Sequence, residues 1–567
     1  MSINSIADYV VVGTGSSGAV VAARLSERSS DTVIALEAGP EDKNQAVHIP
    51  AAFSKLFQTD LDWNYLTTPQ PELGDRQIFW PRGKMLGGSS SMNAMMWVRG
   101  YAADYDEWAR AAGEGWSFAN VVEYFKRIES VEGAAEPDEG RDGPLHISHQ
   151  RSASRWTADF LAAAEHAGFK TERANLPQPE GFTQTMVCQQ RGARWSTADA
   201  YLKPARKRPN LTVLTGAQAT RVLFEGSHAV GVEYRAGGVT RTVRARKEVV
   251  LCGGAINSPQ LLQLSGIGDA EQLRAHGIPV VHDLPEVGRN LTDHLISLIG
   301  FAVDSGTLFD AEKPLELINY LVRRRGMLTS NVGEAYGFVR STPELELPDL
   351  EIIFGPAPFY DEGIGVAPGH GIAIGPILLR PRSRGTVTLA SGDPMAKAVV
   401  DPKYLSDSDG ADRAALMAGL RTAHRIITSA PLGSKVGRFL QPKREQATIE
   451  QTLEDALTWH SHTLYHPTST CRMGTDPGSV VTPELKVRGV EALRVADASV
   501  MPTIIRGHTH APAVVIGEKA ADLITAANRT RSVVRFPLPS AERAARMPGV
   551  CRRQADPLSR IYSWPMN

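Results

Sequence analysis

The chain has 567 residues, of which 42% are hydrophobic and 22% charged, and its net charge is −1. That length suggests more than one domain of ordinary globular composition, and the balanced charge gives no global pull towards nucleic acid or acidic substrates. The four cysteines form no C-x-x-C pair, and residues 1–7 show no secretory signal; nor is there a run of about 18 apolar residues, so a cytoplasmic protein with no disulfide framework, no metal site and no membrane span is expected.

Residues 8–39 predict a strand, turn, helix and strand in succession. The apolar strand Tyr9–Val12 runs into Gly13, Gly15 and Gly18, a small-residue helix follows from Ala19, and a second apolar strand ends at Glu37. Gly13 allows the tight turn, Gly15 lets the backbone approach a pyrophosphate, and Gly18 lets helix and strand pack closely. The helix N-terminus offers free N–H groups and a positive dipole end to phosphate. Glu37, roughly 20 residues on, is placed to accept hydrogen bonds from an adenosine ribose. With every part in place, the glycine pattern reads as dinucleotide-binding.

Three stretches, 1–145, 206–295 and 456–527, read as α/β of a nucleotide-binding domain. The stretches between them, 146–205 and 296–455, are richer in loops and alternating strands, including a hairpin strand at Gly385-Thr-Val-Thr-Leu389. This order predicts a discontinuous cofactor domain with a second domain inserted into it. The last segment, 528–567, is basic, carrying Arg529, Arg531, Arg535, Arg543, Arg546, Arg552, Arg553 and Arg560. It reads as a solvated, partly disordered tail, or else as a contact for a partner subunit or an anionic membrane surface.

Further motifs follow in order. In Gly83-Lys-Met-Leu-Gly-Gly-Ser-Ser-Ser-Met-Asn93, Gly88 permits close backbone approach, and the serines and Asn93 offer small donors. Residues 248–268 repeat the strand–glycine–helix pattern, with Cys252 as a buried small apolar residue. Asp497 interrupts the apolar stretch 494–502, where it is placed to orient a sugar or ribityl hydroxyl. Near the C-terminus His466 sits in Tyr465-His-Pro-Thr-Ser-Thr-Cys, and His508 and His510 sit in Gly507-His-Thr-His-Ala-Pro512 ahead of an apolar helix over 513–524. Histidine suits proton uptake near neutral pH, and Pro512 suits a first helical turn. Spacing alone leaves two readings of these histidines: satisfied structural groups, or an active site. Zinc is not indicated, because no matching carboxylate or paired cysteine stands nearby.

At these residues, from about Asp8 to about Ile524, the chain resembles the glucose–methanol–choline (GMC) oxidoreductases. The segment 83–104 resembles the family's first signature and 254–268 its second. The resemblance implies an α/β fold: a Rossmann-like FAD-binding domain with an inserted α+β substrate domain carrying an antiparallel sheet. It implies FAD contacts from Gly13, Gly15, Ser16, Ser17, Gly18, Glu37, Ala38, Trp63, Gly88, Asn93, Ala94, Met95, Met96, Val222, Asp497 and Ala498, with Val222 meeting the adenine through its backbone. His466 is implied as the base that takes the alcohol proton and His508 as the group that holds the substrate oxygen; Tyr465 and His510 are candidate substrate residues. Some members attach FAD through a histidine just before the loop asparagine. Here that position is Met92, which implies non-covalent FAD. His510 stands where many bacterial members have asparagine, and this leaves the substrate class open. The expected reaction is oxidation of a small-molecule alcohol to an aldehyde or ketone, by proton abstraction and hydride transfer to flavin N5. Oxygen or an external acceptor would take the electrons, and a homo-oligomer is left open. The alternative is a lyase or photodecarboxylase on the same fold.

Overall fold

The computed structural model describes residues 4–443 and 448–534. By its contacts the chain divides into one body, Met1–Asp522, and a terminal unit, Leu523–Asn567. In the body the strands Asn4–Val12, Val33–Leu36 and Leu211–Leu214 lie parallel, and Asn4–Val12 also pairs in parallel with the end of Val239–Leu251. Val10 and Val11 are fully buried, as in a sheet covered on both faces. His228–Ala236 and Gln218–Glu225 extend the sheet antiparallel, and Leu493–Val495 adds a parallel strand beside Val249–Leu251. One sheet therefore draws on three distant segments of the chain.

A second sheet is antiparallel. It runs through Phe439–Gln441, Ile299–Ala302, Gly371–Leu378, Leu350–Gly355, Ala335–Val339 and Phe182–Gln184. The helix Ala411–Thr428 covers it with Leu416, Leu420, Ala423 and Ile427, a buried stripe at helical spacing. Gly419 sets the approach: a Cβ there would lie 2.4 Å from Pro376 Cβ on the sheet. On the same core Phe160 stacks on Phe354 with ring centroids 4.6 Å apart. The hairpin strand expected after Gly385 is present as Thr386–Thr388, paired with Val399–Asp401.

Two boundaries differ from expectation. Ser461–Thr463, placed by sequence in the cofactor domain, pairs with Leu295–Ser297 and through it joins the antiparallel sheet. The apolar helix expected over 513–524 begins at His510 and continues to Val534, past the expected start of the tail. The rest of the basic tail lies outside the described residues. No helix among the described residues is long and apolar enough to cross a membrane.

Candidate active site

One elongated cavity is lined from both sheets. At one end are Gly13, Gly15, Ser16, Ser17, Glu37 and Ala38; at the other are His466, His508, Tyr465 and the antiparallel-sheet residues Ile353 and Phe354. Trp63, Gly88, Asn93, Ala94, Met95, Met96, Asp497, Ala498 and His510 line it as well. The structure thus brings together nearly all of the residues singled out by sequence. Gly18 lies behind the wall, where its role is packing: a Cβ there would lie 2.0 Å from Gly13 O and 2.8 Å from Cys252 Cβ. Val222 is not on the wall. Its N–H donates to Ser265 Oγ at 2.8 Å, and Ala217, Gln218 and Ala219, three to five residues earlier, face the cavity in its place. The strand's alternation and its irregular register turn Val222 towards the Gly254–Leu264 helix.

The residues present fit a dinucleotide. The two glycine loops meet back to back, because a Cβ on Gly88 would lie 2.7 Å from Gly15 Cα. Gly13 and Gly88 have φ of +92° and +50°, which glycine adopts without strain. Among the described residues the N–H groups of Gly15 and Ser16, ahead of the Gly18–Leu25 helix, have no protein acceptor and remain available to phosphate. Glu37 is buried and accepts from Thr14 N–H at 3.0 Å, Thr14 Oγ1 at 2.7 Å and Gly39 N–H at 2.9 Å. It therefore ties the glycine turn to the strand end while keeping acceptor capacity towards the cavity. Asp497 accepts from Gly254 N–H at 2.9 Å, Ser258 Oγ at 2.6 Å and Ser499 N–H at 2.8 Å. Met92 lines the cavity, and a thioether forms no histidyl link.

At the far end the histidines form a cluster. The His466 and His508 rings lie edge to face with centroids 4.8 Å apart. His466 Nδ1 sits 2.9 Å from His294 Nδ1, so one of the two nitrogens carries the shared proton. The His466 N–H donates to Asp293 Oδ1 at 2.8 Å, and Tyr404 OH donates to Asp293 Oδ2. His508 Nε2 faces the Glu351 carboxylate at 3.0 and 3.3 Å. Tyr465, next to His466, is held at φ +68° and its carbonyl accepts from Arg82 at 2.7 Å. A bulky residue in that conformation is strained, as residues at functional sites often are.

Burial dominates the electrostatics. It pushes His294 down to about 3 and His466 well below the ordinary imidazole range, with the neighbouring His508 adding to both shifts. Both rings are neutral at physiological pH. Burial pushes Asp293 up to about 6, against the lowering effect of Thr463, Tyr404 and the His466 N–H. His510 adjoins this cluster. Its Nδ1 lies 3.0 Å from Ser16 Oγ on the first glycine loop, its ring meets Trp97 edge to face, and burial lowers it to about 4. It reaches the first glycine loop through Ser16 while staying near enough to His466 to add to the lowering of that ring.

Sequence reasoning missed Asp293, His294, Glu351 and Tyr404. A signal existed for three of them. Asp293-His294 stands at the head of a largely apolar stretch, 295–302, and Glu351 is the lone acid in the strand Leu350–Gly355. An acid in such a strand is costly to bury without a partner, so it announces one.

Comparison with known proteins agrees with this geometry. Models of the GMC oxidoreductase family match residues 7–296 and 381–517. An uncharacterized GMC-type oxidoreductase of Mycobacterium tuberculosis is 64% identical over 521 residues, covering 91% of this chain and 99% of the relative. The alcohol dehydrogenase [acceptor] of Pseudomonas putida is 40% identical, covering 91% of this chain and 95% of the relative. Among solved structures, pyridoxine 4-oxidase from Mesorbium loti superposes with a TM-score of 0.82 at 31% identity, covering 91% of this chain and 98% of that one. With a dinucleotide cradle at one end of the cavity and a buried histidine pair at the other, the chain belongs to the GMC oxidoreductase family and is an FAD-dependent oxidoreductase.

Proposed function

We propose that the chain oxidises a neutral alcohol to an aldehyde or ketone, with His466 as the base. The carrying observation is the contact between His466 Nδ1 and His294 Nδ1. A proton placed on His466 Nδ1 and donated to His294 leaves His466 Nε2 with its lone pair free. The tautomer this arrangement needs places the His294 proton on Nε2, a buried nitrogen with no hydrogen-bond partner among the described residues. A neutral His466 then takes the hydroxyl proton at Nε2. FAD, when bound, supplies the two-electron sink that receives the alcohol's α-hydrogen as hydride.

His508 is the second group on the substrate oxygen. With Nε2 engaged by Glu351, its Nδ1 is left to meet the alcohol, and the carboxylate favours positive charge arriving on the histidine pair. The pocket excludes water with Phe57, Phe359, Ile296, Leu298 and Val332. Among the described lining residues the carboxylates are Glu37 and Asp497, both turned to the protein framework. The acids at the histidine end, Glu351 and Asp293, stand behind the histidines and are not among the described lining residues, so a cationic alcohol meets no carboxylate directly there, which favours neutral substrates with an apolar arm. The name of the Pseudomonas putida relative, an alcohol dehydrogenase [acceptor], supports an alcohol as the substrate. The test is anaerobic mixing with a panel of neutral, cationic and anionic alcohols, followed by flavin bleaching, with oxygen and an artificial acceptor supplied in parallel runs. Bleaching by neutral apolar alcohols is expected; a flavin left oxidised by every alcohol would refute the reading.

A further inference from the structure

The helix Pro314–Arg323 is built inside out. Its polar residues Glu316 and Asn319 turn towards the protein: Glu316 Oε2 accepts from Met327 N–H at 2.9 Å, and both side chains crowd Gly326. Tyr320 is buried and its OH donates to His48 O at 3.2 Å, which anchors the helix to the body. The apolar residues face outward. Leu315 is 79% exposed, Ile318 56%, Leu321 60% and Val322 76%. Hydrophobic burial should turn such a stripe inward, so its outward placement needs a partner phase.

The charges around the stripe indicate which phase. The helix ends in Arg323, Arg324 and Arg325, all exposed, and among the described residues none of them pairs with a carboxylate. The neighbouring acids are already engaged: Asp310 with Lys313 at 2.8 Å, Glu312 with Lys55 at 2.7 Å, and Glu316 with Met327 N–H. The rim of the apolar stripe is therefore left net positive. One ten-residue helix is about 15 Å long, and its face falls short of the ~800 Å² per partner that a stable dimer buries. An apolar stripe edged by unpaired arginines suits a layer of acyl chains beneath anionic headgroups. We propose that this helix docks the enzyme on an anionic lipid surface, lying in the plane of the interface with Leu315, Ile318, Leu321 and Val322 inserted and the arginines among the headgroups.

The test uses the full FAD-loaded chain and vesicles of phosphatidylcholine with or without phosphatidylglycerol, read by co-sedimentation. The wild type should sediment with the anionic vesicles and much less with phosphatidylcholine alone. Ile318→Glu with Val322→Glu should abolish sedimentation, and Arg323→Gln with Arg325→Gln should lower the partition about 5-fold per arginine and flatten its salt dependence. Flavin content and reduction by a water-soluble alcohol should be unchanged in both variants, since these side chains lie far out on the surface. Three results would overturn the proposal: wild type that stays in the supernatant with anionic vesicles; a glutamate variant that still sediments; or a wild-type oligomer that this variant dissolves to monomer without any vesicle binding, which would mark a self-association face.

Discussion

Glu351→Gln tests the electrostatics of the proposed site most directly. Glu351 is fully buried, and glutamine keeps its shape and an acceptor for His508 while removing the charge. The loss can be worked from the geometry. The carboxylate lies 3.0 Å from His508 Nε2, and the His466 ring lies 4.8 Å beyond the centre of His508. A proton arriving on His466 is therefore about 8 Å from the carboxylate, and at an effective dielectric of about 20 their attraction is about 2 kcal/mol. Without it the barrier to proton abstraction rises by that amount, a slowing of about 30-fold. The assay is stopped-flow reduction of the bound flavin under anaerobic conditions at saturating alcohol, with flavin content measured on the same sample. A variant that carries full flavin and is reduced within about twofold of the wild-type rate would refute the reasoning, because the carboxylate would then contribute nothing as the charge develops.

Three further outcomes follow from the same residues. His466→Ala should slow flavin reduction by at least ~100-fold, the usual lower range for a general base, with flavin content retained; near-normal reduction in stopped flow would remove His466 from the chemistry. Asp293 is held at about 6 against an ordinary 3.8, so its native-state proton contributes stability that is full below 3.8 and lost as pH rises through 6, about 3 kcal/mol in all. Asp293→Asn should flatten that part of the melting-temperature profile and be no less stable than wild type above it; a profile parallel to the wild type's would show that Asp293 does not titrate there. His510→Asn should leave the ranking of neutral and anionic alcohols unchanged, because burial keeps the ring neutral above about 5 and its partner is Ser16. FAD affinity, measured by titration of the apoprotein, should fall about 5-fold for the hydrogen bond disturbed, and a shift towards or away from anionic alcohols would refute that placement.

Much of the dinucleotide end was legible because its physics is local. Gly13, Gly15 and Gly18 do their work within one turn of each other, and Glu37 closes the same unit from the next strand. Val222 shows where local reading stops. Which residues of an exposed-to-buried strand face a cavity depends on register, and here Ala217 to Ala219 take the wall. The histidines were legible as candidates, yet their partners were not. Asp293 and His294 lie some 170 residues before His466, and Glu351 some 160 before His508, so only the antiparallel sheet brings them together. The outward apolar face of Pro314–Arg323 was equally hidden, since a helical stripe reads the same in sequence whichever way it points.

The register of one short ladder explains why His466 is held at its Nδ1. Leu295 pairs with Thr463 and Ile296 with His462, and beyond the last pair Leu464 N–H donates to His294 O at 2.8 Å. The two chains leave that ladder together, which sets His294 and Asp293 against His466 on the same side: one fixes the ring at Nδ1, the other fixes the backbone N–H. A slip of one residue would turn His294 to the opposite face and release His466 Nδ1. His508 arrives by a different route, on the segment entering the helix that packs against the glycine loop, and it meets the antiparallel sheet through Glu351 and Tyr336. The two histidines therefore face each other only when both sheets hold their places around the cavity, so the same packing that shapes the dinucleotide cradle also assembles the histidine pair. Substitutions in the seam, such as at Asp293 or Glu351, should consequently alter reduction rate before they alter flavin content, whereas substitutions in the glycine loops should do the reverse.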